Sequence, residues 1–239
     1  MTSTSGRRSG APKRVRDWFR KLITFWTLIV LVSAIAIGVF ADLGEDVAEN
    51  STVGFDGAVR AWMIAHQNPI VHGIAYVITV IGSPGMLVIA LVAGALFWRR
   101  GGRSKAGVVV AAPAVAALLS GSIKLFYGRA RPAGGLLLNM RTYSFPSGHA
   151  TTSAAVAVTL CYVMAREGII SWRTAILIGG IAPLLVGLTR LYLDVHWTTD
   201  VIGGWAVGLF VAAMCAALYE YLRRNAPPNI GNAGLAAAK

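Results

Sequence analysis

Charge is scarce in this sequence, and negative charge is scarcer still. Asp, Glu, Lys and Arg make up 13% of the 239 residues, against roughly 25% in an ordinary soluble domain. Ten are acidic and 22 basic. Such a thin charged fraction argues against a water-soluble globule. Cysteine is almost absent. Cys161 and Cys215 both lie inside apolar runs, which excludes a disulfide framework and any Cys/His zinc spacing. They read as small buried hydrophobes. The basic residues are distributed around the apolar runs, so the net charge of +12 does not point to nucleic acid.

What remains is apolar, 56% of the chain, and it is gathered into long runs. Six segments can cross a hydrocarbon core, which takes about 20 helical residues. They are 22–41, 74–98, 106–126, 149–165, 172–189 and 201–221. The first is too long for a signal-peptide core, and Asp42-Leu43-Gly44-Glu45 is no small-residue cleavage site. It reads as a retained span. Gly82-Ser83-Pro84-Gly85 is expected to kink or split the second. Val53–Asn68 carries Phe55, Val59, Trp62, Met63 and Ile64 and is expected to form a short amphipathic helix on the membrane surface. The expected fold is all-α, a six-span bundle with both termini cytoplasmic and short outer-surface helices. Residues 1–21 form a basic N-terminal tail, 22–222 the membrane domain, and 223–239 a C-terminal tail expected to be disordered.

Orientation follows from Lys and Arg. With the N-terminus inside, 16 of the 22 basic residues fall on inner segments. The outer side receives Arg60, Lys124, Arg129, Arg131, Arg141 and Arg190. Five of these six cluster in the connections between spans three and four and between spans five and six. Topology gives no reason for cations there. An anionic ligand does.

Three segments meet on that side. Lys124 to Arg131-Pro132 ends span three. Pro146-Ser147-Gly148-His149 leads into span four. Arg190, His196 and Asp200 join spans five and six. Phosphoryl transfer needs neutralised oxygens and an in-line nucleophile. Lys124, Arg131 and Arg190 supply cations, and an arginine fork pairs two oxygens at once. Ser147 is expected to cap the next helix, whose free amides form an anion site. Gly148 permits close backbone approach. His196 and Asp200 are four apart and share a helical face. A carboxylate there holds one imidazole nitrogen protonated and aims the other, so His196 is the better nucleophile. His149 has no such partner and is the better acid for the leaving oxygen. A single cation at a span end would read as an interfacial anchor; the joint placement is what carries the chemistry.

These segments resemble the three signature motifs of the type 2 phosphatidic acid phosphatase family. Lys-(six residues)-Arg-Pro and Pro-Ser-Gly-His are complete. Ser-Arg-(five)-His-(three)-Asp is present with Thr189 in place of the serine. The resemblance implies a helical bundle with its site near the outer membrane face. It implies a phosphohistidine on His196, orientation by Asp200, and leaving-group and water activation by His149. It implies phosphate binding by Lys124, Arg131, Ser147, Gly148 and Arg190, with no metal or other cofactor. The implied partners are a lipid phosphate substrate and membrane lipids, with no nucleic acid and no obligate protein partner. Phe55-Asp56 and Gly82-Ser83-Pro84 weakly resemble the bacterial phosphatidylglycerophosphate and polyprenyl-diphosphate phosphatases of that family. The competing reading is an anionic-lipid transporter or flippase, which needs the cations but not the His196–Asp200 pair. Vanadium haloperoxidases share the pocket motifs but are typically soluble, and a structural scaffold leaves the spacings unexplained.

The neighbours receive plainer readings. Asp194 is expected to be solvated. Arg129 and Arg141 are expected to add positive field. His66 and His72 are expected to be interfacial, and Trp197, Tyr192 and Tyr143 to belong to an aromatic belt, with Tyr143 also a candidate to line the pocket.

Overall fold

The structure is a computed structural model and describes residues 13–133 and 142–225. Every regular element among them is helical. In chain order they are α1 (Lys13–Ala48), α2 (Val53–Ala65), α3 (Pro69–Val80), a π-helical turn (Ile81–Gly85), α4 (Met86–Arg99), α5 (Arg103–Tyr127), α6 (Gly148–Arg166), α7 (Trp172–Tyr192) and α8 (Thr198–Arg224). Six helical runs among these residues are long and apolar enough to cross a membrane. They coincide with the six expected segments and overrun them at the ends. Hydropathy marks only the lipid-facing length, whereas helical hydrogen bonding continues into polar turns.

The second span is one continuous helical run from Pro69 to Arg99. The Gly82–Gly85 cluster neither breaks nor splits it. The ring of Pro84 removes one backbone donor, and the run absorbs this by widening to a single π turn. Asn68 caps its start, with its side chain accepting from the amides of Ile70 and Val71. The expected amphipathic helix is α2, with Phe55 and Trp62 exposed.

Helices α6 and α8 form the centre of the bundle. Most of their length is buried, while α1 is largely exposed apolar surface. Small residues let α6 and α8 close on each other. A Cβ on Gly208 would lie 2.5 Å from the Thr151 carbonyl oxygen, and one on Gly204 would lie 2.7 Å from that of Ser147. Neither position admits a side chain without moving backbone. This is the small-residue packing by which helices associate in lipid, where no water drives them together. Large side chains such as Leu118, Leu125, Phe126 and Ile176 point outward and are exposed, as a lipid-facing surface requires.

The two ends of the bundle differ. At one end Arg166 Nε donates to Glu220 Oε1 at 2.6 Å, and the Tyr162 hydroxyl donates to the same oxygen at 3.1 Å. Lys105 and Tyr219 both reach Glu167. These contacts tie α5, α6 and α8. The opposite end holds the last turns of α5 and α7 and the first turns of α6 and α8. All three motif segments converge there.

Candidate active site

Each motif side chain is set by a helix end. Helix α5 stops at Gly128, which adopts the left-handed conformation (φ 61°) and donates its amide to the Lys124 carbonyl. A side chain is rarely tolerated at that φ. The stop leaves Lys124 in the last helical turn and sends Arg129 and Arg131 into the connection beyond. Lys124 Nζ donates to the carbonyls of Tyr143 at 2.8 Å and Ser144 at 3.1 Å. Tyr143 itself is exposed and contributes that carbonyl to the site.

Helix α6 begins at Gly148, with Ser147 as its first flanking residue. The expected side-chain cap does not form. The Ser147 hydroxyl is fully buried and has no hydrogen-bond partner among the described residues. Its backbone does the anchoring instead: the amide donates to the Asp200 carbonyl at 2.8 Å, and the carbonyl accepts from the Thr151 amide and hydroxyl. The first amides of α6, including those of Gly148 and His149, remain unpaired within the helix. His149 is half-buried beside them.

Arg190, in the last turn of α7, is 3% exposed. One terminal nitrogen donates to the Thr79 hydroxyl at 2.7 Å. Its Nε has no partner among the described residues. A buried guanidinium with a free donor costs energy unless an acceptor arrives. Arg190 Nε and Ser147 Oγ are thus two buried polar atoms with no partner among the described residues.

His196 and Asp200 form the centre. His196 Nδ1 lies 3.2 Å from Asp200 Oδ2, and the two residues are 4% and 0% exposed. The same Oδ2 accepts from the Trp197 amide at 2.9 Å and from the Ser144 hydroxyl. Arg131 Nη1 lies 3.1 Å from the other imidazole nitrogen, Nε2. It also donates to the Val195 carbonyl at 2.7 Å. Nδ1 faces a carboxylate and Nε2 faces a cation, so the neutral imidazole carries its proton on Nδ1 and its lone pair on Nε2. Burial, the largest influence, pushes the His196 pKa down to about 4. Arg131 and Lys124 push the same way, and Asp200 opposes them. Burial likewise lowers the pKa of Arg131.

Three expectations about neighbours need revision. Asp194 is not solvated. It is 9% exposed and is held by a two-pronged pair to Arg60, Nε–Oδ1 2.7 Å and Nη2–Oδ2 2.8 Å. Arg60 gains from that bond, which raises its pKa. Arg129 is not a free source of positive field. Its two terminal nitrogens bond carboxylates, Nη1 to Asp200 Oδ1 at 2.7 Å and Nη2 to Asp56 Oδ2 at 2.6 Å. Trp197 is more than an interfacial ring. Its indole N–H donates to the Ala130 carbonyl, and the guanidinium groups of Arg60 and Arg129 sit 5.8 Å and 5.6 Å from its ring. Arg141 lies outside the described residues. His66, just past the end of α2, pairs its Nδ1 with the Trp62 carbonyl. No cluster of His, Cys, Asp and Glu suited to a metal ion occurs among the described residues.

An apolar crevice of about 170 Å³ opens between α1, α5 and α8. Ile37, Phe40, Ile123 and Phe210 are among its walls, and Ile123 immediately precedes Lys124.

The family model of the PAP2 superfamily matches residues 105–224, which hold all three motifs. The chain belongs to the PAP2 superfamily. It is a multi-pass membrane enzyme of that superfamily, a lipid phosphate phosphatase. It is 27% identical over 191 residues to phosphatidylglycerophosphatase B of Bacillus subtilis (strain 168), covering 77% of this chain and 93% of that protein. An undecaprenyl-diphosphatase of Sulfolobus acidocaldarius is 39% identical over 70 residues, 29% of this chain and 31% of that one. The crystal structure of a PAP2 type phosphatidylglycerolphosphate phosphatase from Bacillus subtilis superposes with a TM-score of 0.75 at 26% identity. The match covers 81% of this chain and 98% of that one.

Proposed function

We propose that this PAP2 protein removes phosphate from a lipid monophosphate or diphosphate through a phosphohistidine on His196, on the outer face of the cell membrane. The observation that carries the reading is the buried His196–Asp200 pair with Nε2 turned toward Arg131. Cations alone would serve a transporter equally well. A carboxylate-oriented imidazole adds a nucleophile.

The substrate phosphate takes the places left for an acceptor by Arg190 Nε, Ser147 Oγ and the first amides of α6. Lys124 and Arg131 complete the charge balance. Arg131 turns from Nε2 to a phosphate oxygen as the ligand enters. Nε2 then attacks phosphorus in line, the P–N bond forms, and the bond to the lipid oxygen breaks. His149 gives its proton to that departing oxygen. In the second step His149 takes a proton from water, the water oxygen attacks phosphorus, and the P–N bond breaks. Inorganic phosphate leaves and His196 is regenerated. Asp200 keeps Nδ1 protonated throughout and stabilises the charge that builds on the imidazole.

A lipid substrate is supported by the apolar crevice between α1, α5 and α8 and by the site's position at span ends. The candidate substrates are phosphatidylglycerophosphate, undecaprenyl diphosphate and phosphatidate. The extent of similarity to the Bacillus phosphatidylglycerophosphatase favours the first. The outer location rests on the excess of Lys and Arg in the segments opposite the site, which also puts both termini inside. Residues 22–222 then form a single membrane domain between two cytoplasmic tails, 1–21 and 223–239.

The test is a panel of these lipids given to purified protein in chelator, with His196→Ala alongside. Phosphate release by the wild type and none by the variant is expected. Full activity in His196→Ala contradicts the mechanism.

A further inference from the structure

Asp56 and Arg129 take no part in the chemistry proposed above, yet both are built into the site. Asp56 sits in the first turn of α2 and is 1% exposed. A carboxylate buried on the inner side of a surface helix is costly unless it is fully paired. Its partners all belong to the catalytic end. Oδ2 accepts from Arg129 Nη2 at 2.6 Å and Thr199 Oγ1 at 2.7 Å, and Oδ1 accepts from the Thr199 amide at 3.0 Å. Arg129 Nη1 goes on to Thr199 Oγ1 and to Asp200 Oδ1, both at 2.7 Å. Arg129 Nη2 also reaches Thr52 Oγ1 at 3.0 Å.

A line of charges therefore runs Asp56, Arg129, Asp200, His196, drawn from α2, the connection after α5, α8 and the turn before it. Arg129 differs from the other arginines. Arg190 keeps a free buried donor, whereas both terminal nitrogens of Arg129 are committed to acceptors and its guanidinium is stacked on Trp197. No terminal nitrogen is left for a phosphate.

We propose that Arg129 is a positioning residue for the catalytic pair, and that Asp56 acts by holding Arg129. The inference rests on the phosphohistidine reading. The torsion that turns a carboxylate about its own axis is broad. Three donors on Asp200 Oδ2 do not by themselves stop the group from turning. A fourth on Oδ1, from a guanidinium clamped by a second carboxylate, does. The clamp keeps Oδ2 on His196 Nδ1 and so keeps Nε2 aimed at phosphorus. Arg129 also separates two buried anions that would otherwise repel.

The experiment uses the whole protein in lipid nanodiscs. Wild type, Arg129→Gln, Asp56→Asn and the double variant are compared for kcat, KM and rate of phosphoenzyme formation, with thermal unfolding as the check on folding. Arg129→Gln should lower kcat and phosphoenzyme formation about 10- to 100-fold, as loss of an orienting partner does elsewhere, and leave KM within about twofold. Asp56→Asn should lower kcat less. The double variant should match Arg129→Gln alone, because Asp56 works through Arg129. If Arg129→Gln does not fold, Asp56→Asn carries the test through the same split between kcat and KM. Wild-type kcat in a folded variant overturns the inference. So does a rise in KM at constant kcat, which would make Arg129 a phosphate ligand, and so do losses that multiply in the double variant. If the wild type forms no phosphohistidine, the reading beneath fails instead.

Discussion

Asp200 Oδ2 lies 3.2 Å from His196 Nδ1, in a site where both residues are almost fully buried. The bond fixes which imidazole nitrogen carries the proton. Asp200→Asn keeps the shape but can donate to Nδ1, which reverses the tautomer and blocks Nε2. We expect kcat to fall about 10⁴-fold, the order seen when the orienting carboxylate of a hydrolase triad is amidated. Steady-state kinetics on a lipid phosphate checks it. A loss below tenfold would show that the carboxylate does not orient the nucleophile.

The buried Nε of Arg190 has no hydrogen-bond partner among the described residues. Arg190→Gln should raise KM for the lipid phosphate about 10- to 100-fold, the range of one or two charge-assisted hydrogen bonds. Inhibition by vanadate, which fills the same oxygen positions, should weaken by a similar factor. Unchanged vanadate inhibition would place the phosphate elsewhere.

The His196 imidazole has its pKa pushed down to about 4, from about 6.5 in an unfolded chain. Between those values the unfolded chain binds a proton that the folded one refuses. Folding stability from this residue is therefore intact above about 6.5 and declines as pH falls toward about 4. The proposed nucleophile is correspondingly expected to stay unprotonated well below neutrality. Nitrogen-15 NMR of histidine-labelled protein, with His196→Gln for assignment, should show a neutral His196 ring at pH 6. A midpoint near 6.5 would mean that burial does not govern this group, despite Arg131 and Lys124 beside it.

Gly208 packs directly on the backbone of α6, where an added Cβ would stand 2.5 Å from the Thr151 carbonyl. Gly208→Ala should destabilise the protein by about 1–3 kcal/mol, the usual cost of overpacking. It should also disturb the start of α6, which carries His149. Thermal unfolding in detergent measures the first effect and kcat the second. A wild-type unfolding temperature would show that the α6–α8 seam is looser than its geometry.

The six spans were legible in the sequence because lipid imposes long apolar runs. That the eight candidate residues gather at one end of the bundle was legible, because their spacing puts them in or beside the turns that join the spans on one side. The pairings that neutralise the surplus charges were not. Arg129 meets Asp56 from 73 positions away, and Arg60 meets Asp194 from 134. No local period reports such distances. Asp194 also takes a left-handed backbone (φ 53°) that turns its carboxylate toward α2. A hydroxyl before a helix reads as a cap from sequence alone. Ser147 leaves that role to its backbone, and its hydroxyl has no partner among the described residues.

The decisive measurement is rapid acid-free quenching of the wild-type enzyme during turnover of a lipid phosphate labelled on phosphorus. Label should appear on a base-stable, acid-labile adduct at His196 and vanish in His196→Gln. Sustained turnover with no label on His196 would contradict the mechanism.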